Sequence, residues 1–189
     1  MTREFRTDPV PPELLDDLVD LASRAPSAGK TQGWHLVVLS GEETARFWDV
    51  TFPPSRRLEF AFPHLFDAPV IALPLADPQS YLSRYSEPDK ADGGLGTSTE
   101  SWPAPYWTID ASMAVMTLLL AAEDAGLGTL LFGVFEGEAE LRATLRLPAR
   151  LELLGAIALG YPAGGASRPG RSAARRRRRP DEIIHRGGW

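Results

Sequence analysis

Between residues 11 and 25 the apolar positions Leu14, Leu15, Leu18, Leu21, Ala22 and Ala25 recur at helical spacing behind Pro11-Pro12-Glu13, predicting an amphipathic helix with proline near its first turn. Pro26 stops that helix, because proline lacks the N–H and restricts the residue before it. Residues 35–40 read as a strand and 43–50 as a short helix. Residues 69–76 (PVIALPLA) read as a strand whose internal proline points to a sheet edge or a bulge. Residues 109–125 are apolar nearly all round, the mark of a helix covered on most sides, and Gly126 and Gly128 end it. A strand at 129–133, an amphipathic helix at 137–146 and a long apolar strand at 151–160 follow. Helices and strands interleave without repeat, so the class is α/β or α+β in a single domain over 1–189.

Residues 77–105 break this rhythm. They are rich in Ser, Pro, Asp, Gly and Tyr around Asp92-Gly93-Gly94-Leu95-Gly96, and so long a connection is expected to be functional or disordered. Charge is also uneven. Residues 168–186 hold eight Arg against two acids, while the rest carries twelve basic and 23 acidic residues. The basic segment 168–189 suits bidentate grip of a phosphate dianion. The acidic remainder repels a nucleic-acid backbone, so no nucleic-acid partner is expected. The terminal Trp189 predicts a tail that docks. No run is apolar and long enough for a membrane helix, and residues 1–8 show no secretory h-region. A cytoplasmic protein is the default expectation.

Side-chain catalysts are scarce. The chain has no Cys, and its three His are scattered away from metal-ligand spacing, so neither a thiol nucleophile nor a metal is expected. His35, opening a strand, reads as structural. Gly29-Lys30-Thr31 imitates the end of a phosphate-binding loop, but the Gly needed five residues earlier is Arg24. The order here is also helix then strand, the reverse of what that loop requires. An enzyme built this way leaves the hard chemistry to a cofactor.

Four segments then resemble the nitroreductase family of flavoproteins: REFRTDPVPPELLDDLVDLASRAPSAGKTQGWHLVVL, DASMAVMTLLLAAEDAGLGTLLFGVF, LGAIALGYPA and RRRRRPDEIIHRGGW. The most specific piece is Arg-Ala-Pro-Ser-Ala-Gly-x-x-Gln-x-Trp. The resemblance implies an α+β three-layer fold, a central mostly antiparallel sheet between helices, and a homodimer with FMN at its interface. It implies a flavin wall at Pro26 and Ser27, to which Gln32 adds a hydrogen bond unless it only satisfies backbone. It implies an N–H donor to the reactive flavin N5 from Gly133 and Val134, and a phosphate grip from Arg176 and Arg178. Arg3 is what remains of an N-terminal phosphate-binding trio. Lys30 stands where the family usually has Asn, either favouring an anionic reduced flavin or pointing to solvent, and Gly33 stands where Pro is usual.

The same resemblance implies ping-pong hydride transfer from a transiently bound NAD(P)H, through FMN, to a nitroaromatic, quinone-like or other conjugated acceptor. Tyr106, Trp107 and Trp102, in the variable segment 77–107, are candidates for a lid that stacks on a flat substrate; the alternative is that the two Trp only anchor the segment. Other readings are an FMN-dependent dehydrogenase or oxidase of a biosynthetic intermediate, a non-catalytic flavin binder, or a basic-tailed interaction module.

Overall fold

The computed structural model describes residues 1–164, 169–170 and 172–189. Helix α1 spans Pro12–Ala22 and strand β1 Trp34–Ser40; α2 (Ala45–Thr51) and the single turn α3 (Pro54–Arg57) follow. Strand β2 is Val70–Ala76, α4 Pro78–Tyr85 and α5 Tyr106–Asp124. The chain closes with β3 (Gly128–Phe132), α6 (Glu138–Leu145), β4 (Glu152–Leu153) and β5 (Ala156–Gly160). No helix among the described residues is long and apolar enough to cross a membrane.

The sheet runs β1-β2-β5-β3, with β4 also beside β2, and every pairing is antiparallel. Strand β2 lies at the centre and all seven of its residues are buried, which explains a continuous apolar run in place of alternation. Its side chains divide between two cores. Val70 and Ala72 meet Leu18 and Ala22 of α1 and Val115, Leu118 and Ala122 of α5. Ile71 and Leu73 meet Phe47 and Trp48 of α2 and Leu141 of α6. The result is three layers, α1/α5, sheet and α2/α6.

Several expectations change. Pro74 is in the central strand, not at an edge. The pairing Ala72↔Ile157 gives way to Leu75↔Leu153, so the partner strand has one extra residue there, a bulge. Pro74 sits at that bulge, and its carbonyl still accepts the N–H of Leu154 at 3.0 Å. The expected strand 151–160 is accordingly broken into β4 and β5. Gly155, at φ 138°, makes the break, with a Cβ position only 2.6 Å from the Phe132 carbonyl oxygen. Helix α1 ends at Ala22 rather than at Ala25. Helix α5 begins three residues early, at Tyr106, and ends as expected: Gly126 is left-handed and the Leu127 N–H returns to the Ala122 carbonyl.

The segment 77–107 is not an open loop. Asp77 caps α4 through the Gln79 N–H (3.1 Å) and the Ser80 hydroxyl (3.0 Å). Tyr81, Trp102 and Trp107 are buried together with Ala76 and Ala111. At the other end of the chain Trp189 docks on no body element among the described residues; it is fully exposed and stacks on His185 of its own tail.

Candidate active site

Two regions carry the residues singled out above. The first is the turn after α1. Gly29, Lys30 and Gln32 all have positive φ (62°, 54° and 52°), and for a non-glycine residue that conformation costs about 1–2 kcal/mol. The turn holds this shape through polar bonds from every side. Ala28 N–H donates to Asp110 Oδ2 at 2.7 Å, and the Tyr81 hydroxyl donates to the same oxygen at 2.7 Å. Arg84 Nε donates to the Gly29 carbonyl at 2.9 Å. Ser27 Oγ accepts the Gln32 N–H at 3.0 Å, and Gln32 Nε2 donates to the Ser23 carbonyl at 3.0 Å. The Gln32 amide is thus spent on backbone, which is one of its two expected roles. Burial first, and the Asp110 carboxylate second, push the Tyr81 hydroxyl to a higher pKa, so it remains a donor.

Gly33 now has a reason. A Cβ there would lie 2.7 Å from the Tyr81 ring and 3.1 Å from Ser80 Cβ. The close approach of α4 excludes the proline usual at this place. Lys30 is exposed, as is Pro26. Behind them the turn encloses only a crevice of about 10 Å³, lined by Ser27, Gly33, Tyr81 and Asp110 among others. That is room for a water at most, so any ligand of this turn meets its outer face.

The second region lies where β3 ends. Gly133 and Val134 line a cavity of about 240 Å³ walled by Trp48, Phe52, Phe60, Phe66 and Phe132. Their N–H groups have no backbone acceptor among the described residues, because the ladder to β5 stops at Phe132↔Ala156. An Arg56–Glu136 ion pair spans the rim. Trp48 Nε1 is buried without a hydrogen-bond partner among the described residues. Arg3 is not in the cavity lining; its guanidinium lies 5.4 Å from the Phe62 ring centroid, and Phe62 is 6.0 Å from Phe60 of the wall.

Within one chain the two regions do not share a cavity. Arg176 and Arg178 join neither. Arg176 makes a bidentate pair with Glu182 (2.8 and 2.6 Å), and Arg178 donates to the Glu182 carbonyl. Trp102 and Trp107 offer no stacking face, being 8% and 7% exposed. Their indole N–H groups bond the Leu95 carbonyl (2.8 Å) and Glu152 Oε2 (3.0 Å), so they anchor the segment; Tyr106 keeps an exposed ring. Sequence reasoning missed Asp110 and the aromatic cavity. Asp110, an acid well inside the apolar stretch of α5 and away from the two acids at its end, was the available signal for the first. The second is assembled from α2, the 52–66 segment and β3, which no single stretch reveals.

Comparison with known proteins agrees with this architecture. An NADH dehydrogenase of Thermus thermophilus is 31% identical over 179 residues, covering 85% of this chain and 82% of its own. An NAD(P)H-using FMN reductase of Bacillus subtilis is 26% identical over 184 residues, covering 97% and 68%. The crystal structure of a nitroreductase family protein from Streptococcus pneumoniae shares the fold with a TM-score of 0.70 at 22% identity, over 97% of this chain and 94% of that one. The family model described as the nitroreductase family matches residues 1–161, and the chain belongs to that family.

Proposed function

We propose that the protein is an FMN-dependent NAD(P)H oxidoreductase that works as a homodimer and reduces a nitroaromatic, quinone-like or other conjugated acceptor. The observation that carries this reading is the end of β3, where two N–H groups without an acceptor among the described residues border an aromatic cavity with the Arg56 guanidinium in its lining. A flat heteroaromatic ring with an acceptor nitrogen and a phosphate tail fits that donor set. FMN, when bound, supplies the two-electron chemistry by taking hydride from NAD(P)H and passing it to the acceptor. The protein's part is to bind and orient. Gly133 and Val134 donate to the ring, the Phe walls keep water from it, and Arg3, Arg176 and Arg178 hold the phosphate. The Glu182 contacts of Arg176 and Arg178 lie wholly within the exposed tail, so a phosphate that takes those guanidiniums breaks no contact to the body of the fold.

The separation of the two regions within one chain supports a site shared by two. In this reading Pro26 and Ser27 of one subunit face the cavity of its partner. Helix α5 leaves Ile109, Met116 and Leu120 exposed, and Leu131 of β3 is exposed near them. Apolar groups so arranged fit an interface, here larger than the roughly 1,600 Å² of a standard contact. The test is direct. Purified protein should show flavin absorbance that NAD(P)H bleaches without oxygen, and initial rates should give the parallel lines of ping-pong kinetics. A colourless protein that takes up no added FMN would overturn the proposal, and a stable monomer at micromolar concentration would remove the shared site.

A further inference from the structure

Asp110 is a buried carboxylate that the proposed chemistry does not use. It is 5% exposed, lies in the first two turns of α5, and its side chain is held by two hydrogen bonds, with no ion pair among the described residues. Burying an unpaired carboxylate is costly unless strong donors meet it. Here two donors converge on one oxygen: the Ala28 N–H from the turn and the Tyr81 hydroxyl from α4, each at 2.7 Å. Tyr81 is itself fully buried and packs against Gly33, three residues beyond Lys30 on the same turn. One carboxylate oxygen therefore ties three segments together: the turn, α4 and α5.

The turn needs such a tie. Three of its residues are left-handed, two of them not glycine, and a conformation that unfavourable persists only where its surroundings over-determine it. The Ser27–Gln32 and Gln32–Ser23 bonds are internal to the turn and α1. The Arg84 bond to Gly29 comes from a half-buried side chain that also serves the exposed Glu87 and Asp89. The Asp110 bond fixes the start of the turn to the buried frame, as the Asp77 N–H, donating to the Gly33 carbonyl at 2.9 Å, fixes its end.

We infer that Asp110 is the positioning residue of the Pro26–Ser27 wall, and that through Tyr81 it makes α4 a strut for that wall. The inference rests on the flavin reading for what the wall faces, but not for the tie itself. Neither Asp110 nor Tyr81 has to touch FMN; both act by holding Ala28.

Two measurements separate the parts. In protein freed of FMN, hydrogen exchange of the Ala28 amide reports the tie directly. Asp110→Ala should speed it at least about 100-fold, while Asp110→Asn, whose carbonyl oxygen accepts from both donors, should stay within about tenfold of wild type. If Asp110→Ala does not fold, Asp110→Ser, too short to reach both donors, takes its place. In protein loaded with FMN, the visible spectrum and midpoint potential should shift in the Ala or Ser variant and return toward wild type in Asn. Unchanged Ala28 exchange in Asp110→Ala overturns the tie. Faster exchange with an unmoved spectrum and potential overturns its role toward the flavin. If wild type takes up no FMN, the proposed function fails while the exchange comparison still decides whether Asp110 holds the turn.

Discussion

The turn at 26–33 and the loop at 133–136 each follow a regular element, yet they are built by opposite means. The turn is polar and over-determined: Ala28, Gly29 and Gln32 have partners in α5, in α4 and at the end of α1, and Ser27 and Gln32 bond each other. It bears left-handed strain that those bonds sustain. The loop is under-determined. Its N–H groups await an acceptor, its neighbours are aromatic rings, and its main polar tie is the Arg56–Glu136 pair at the surface. A prebuilt wall spends no free energy on ordering when a ligand arrives. A strand end with free donors has hydrogen bonds left to give. The contrast teaches which side selects shape and which side supplies binding.

Breaking the loop should have the largest effect on cofactor and the least on fold. Gly133→Val places a side chain where the nearest neighbour is the ring of Phe135, which is almost fully exposed and can move. Thermal stability should therefore hold, while FMN affinity should fall by about 3 kcal/mol, roughly 150-fold in Kd, through steric exclusion. Fluorescence titration of FMN beside a melting curve checks both halves. Replacing Arg176 and Arg178 together by Ala should weaken FMN retention about thirtyfold and leave the melting curve unmoved, since their partners lie within the exposed tail. Equal retention would make the arginine run a solvated tail.

Breaking the turn should show the reverse order. Tyr81→Phe removes one of the two donors to a buried carboxylate and should cost about 2 kcal/mol of stability by denaturant unfolding. Gly33→Ala forces a Cβ against a fully buried Tyr81 ring and should cost about 1–2 kcal/mol. The smallest effect sharpens the comparison in the other direction. Lys30→Asn puts a residue that tolerates left-handed φ at a left-handed position, and should stabilise the protein by about 0.5–1 kcal/mol. The same variant should lower the flavin potential, and Lys30→Glu should lower it more, if the lysine charge faces the ring. Equal potentials by dye-coupled titration in the three proteins would assign the side chain to solvent and leave only the backbone effect.

Much of the architecture was legible before any coordinates. The stripe on α1, the all-round apolar α5 with its glycine stop and the buried β2 carry their own periodicity, because each must bury a face or be covered on both. The turn was legible as a special place from Pro26, Gly29 and the Gln-Gly-Trp entry into β1, and the end of β3 from its glycine. The sequence left segment 77–107 either functional or disordered, because its ordering force is not periodic. Asp77 caps a short helix, and Tyr81, Trp102 and Trp107 are scattered in sequence yet share one cluster. Pro74 allowed either an edge or a bulge, because a missing N–H marks an interrupted ladder without saying where the strand lies in the sheet; the register to β4 and β5 decides for the bulge.

The local chemistry of this chain, its helix stops, its strand runs and its glycine hinges, follows from the sequence itself, since caps, turns and periodicity act over a few residues. Tertiary structure alone decided three things: that Asp110 meets a turn 82 residues away, that Gly33 makes room for Tyr81, and that five aromatic residues from separate segments wall one cavity. Each depends on which elements the packed layers bring within a few ångströms, and no short-range rule contains that distance.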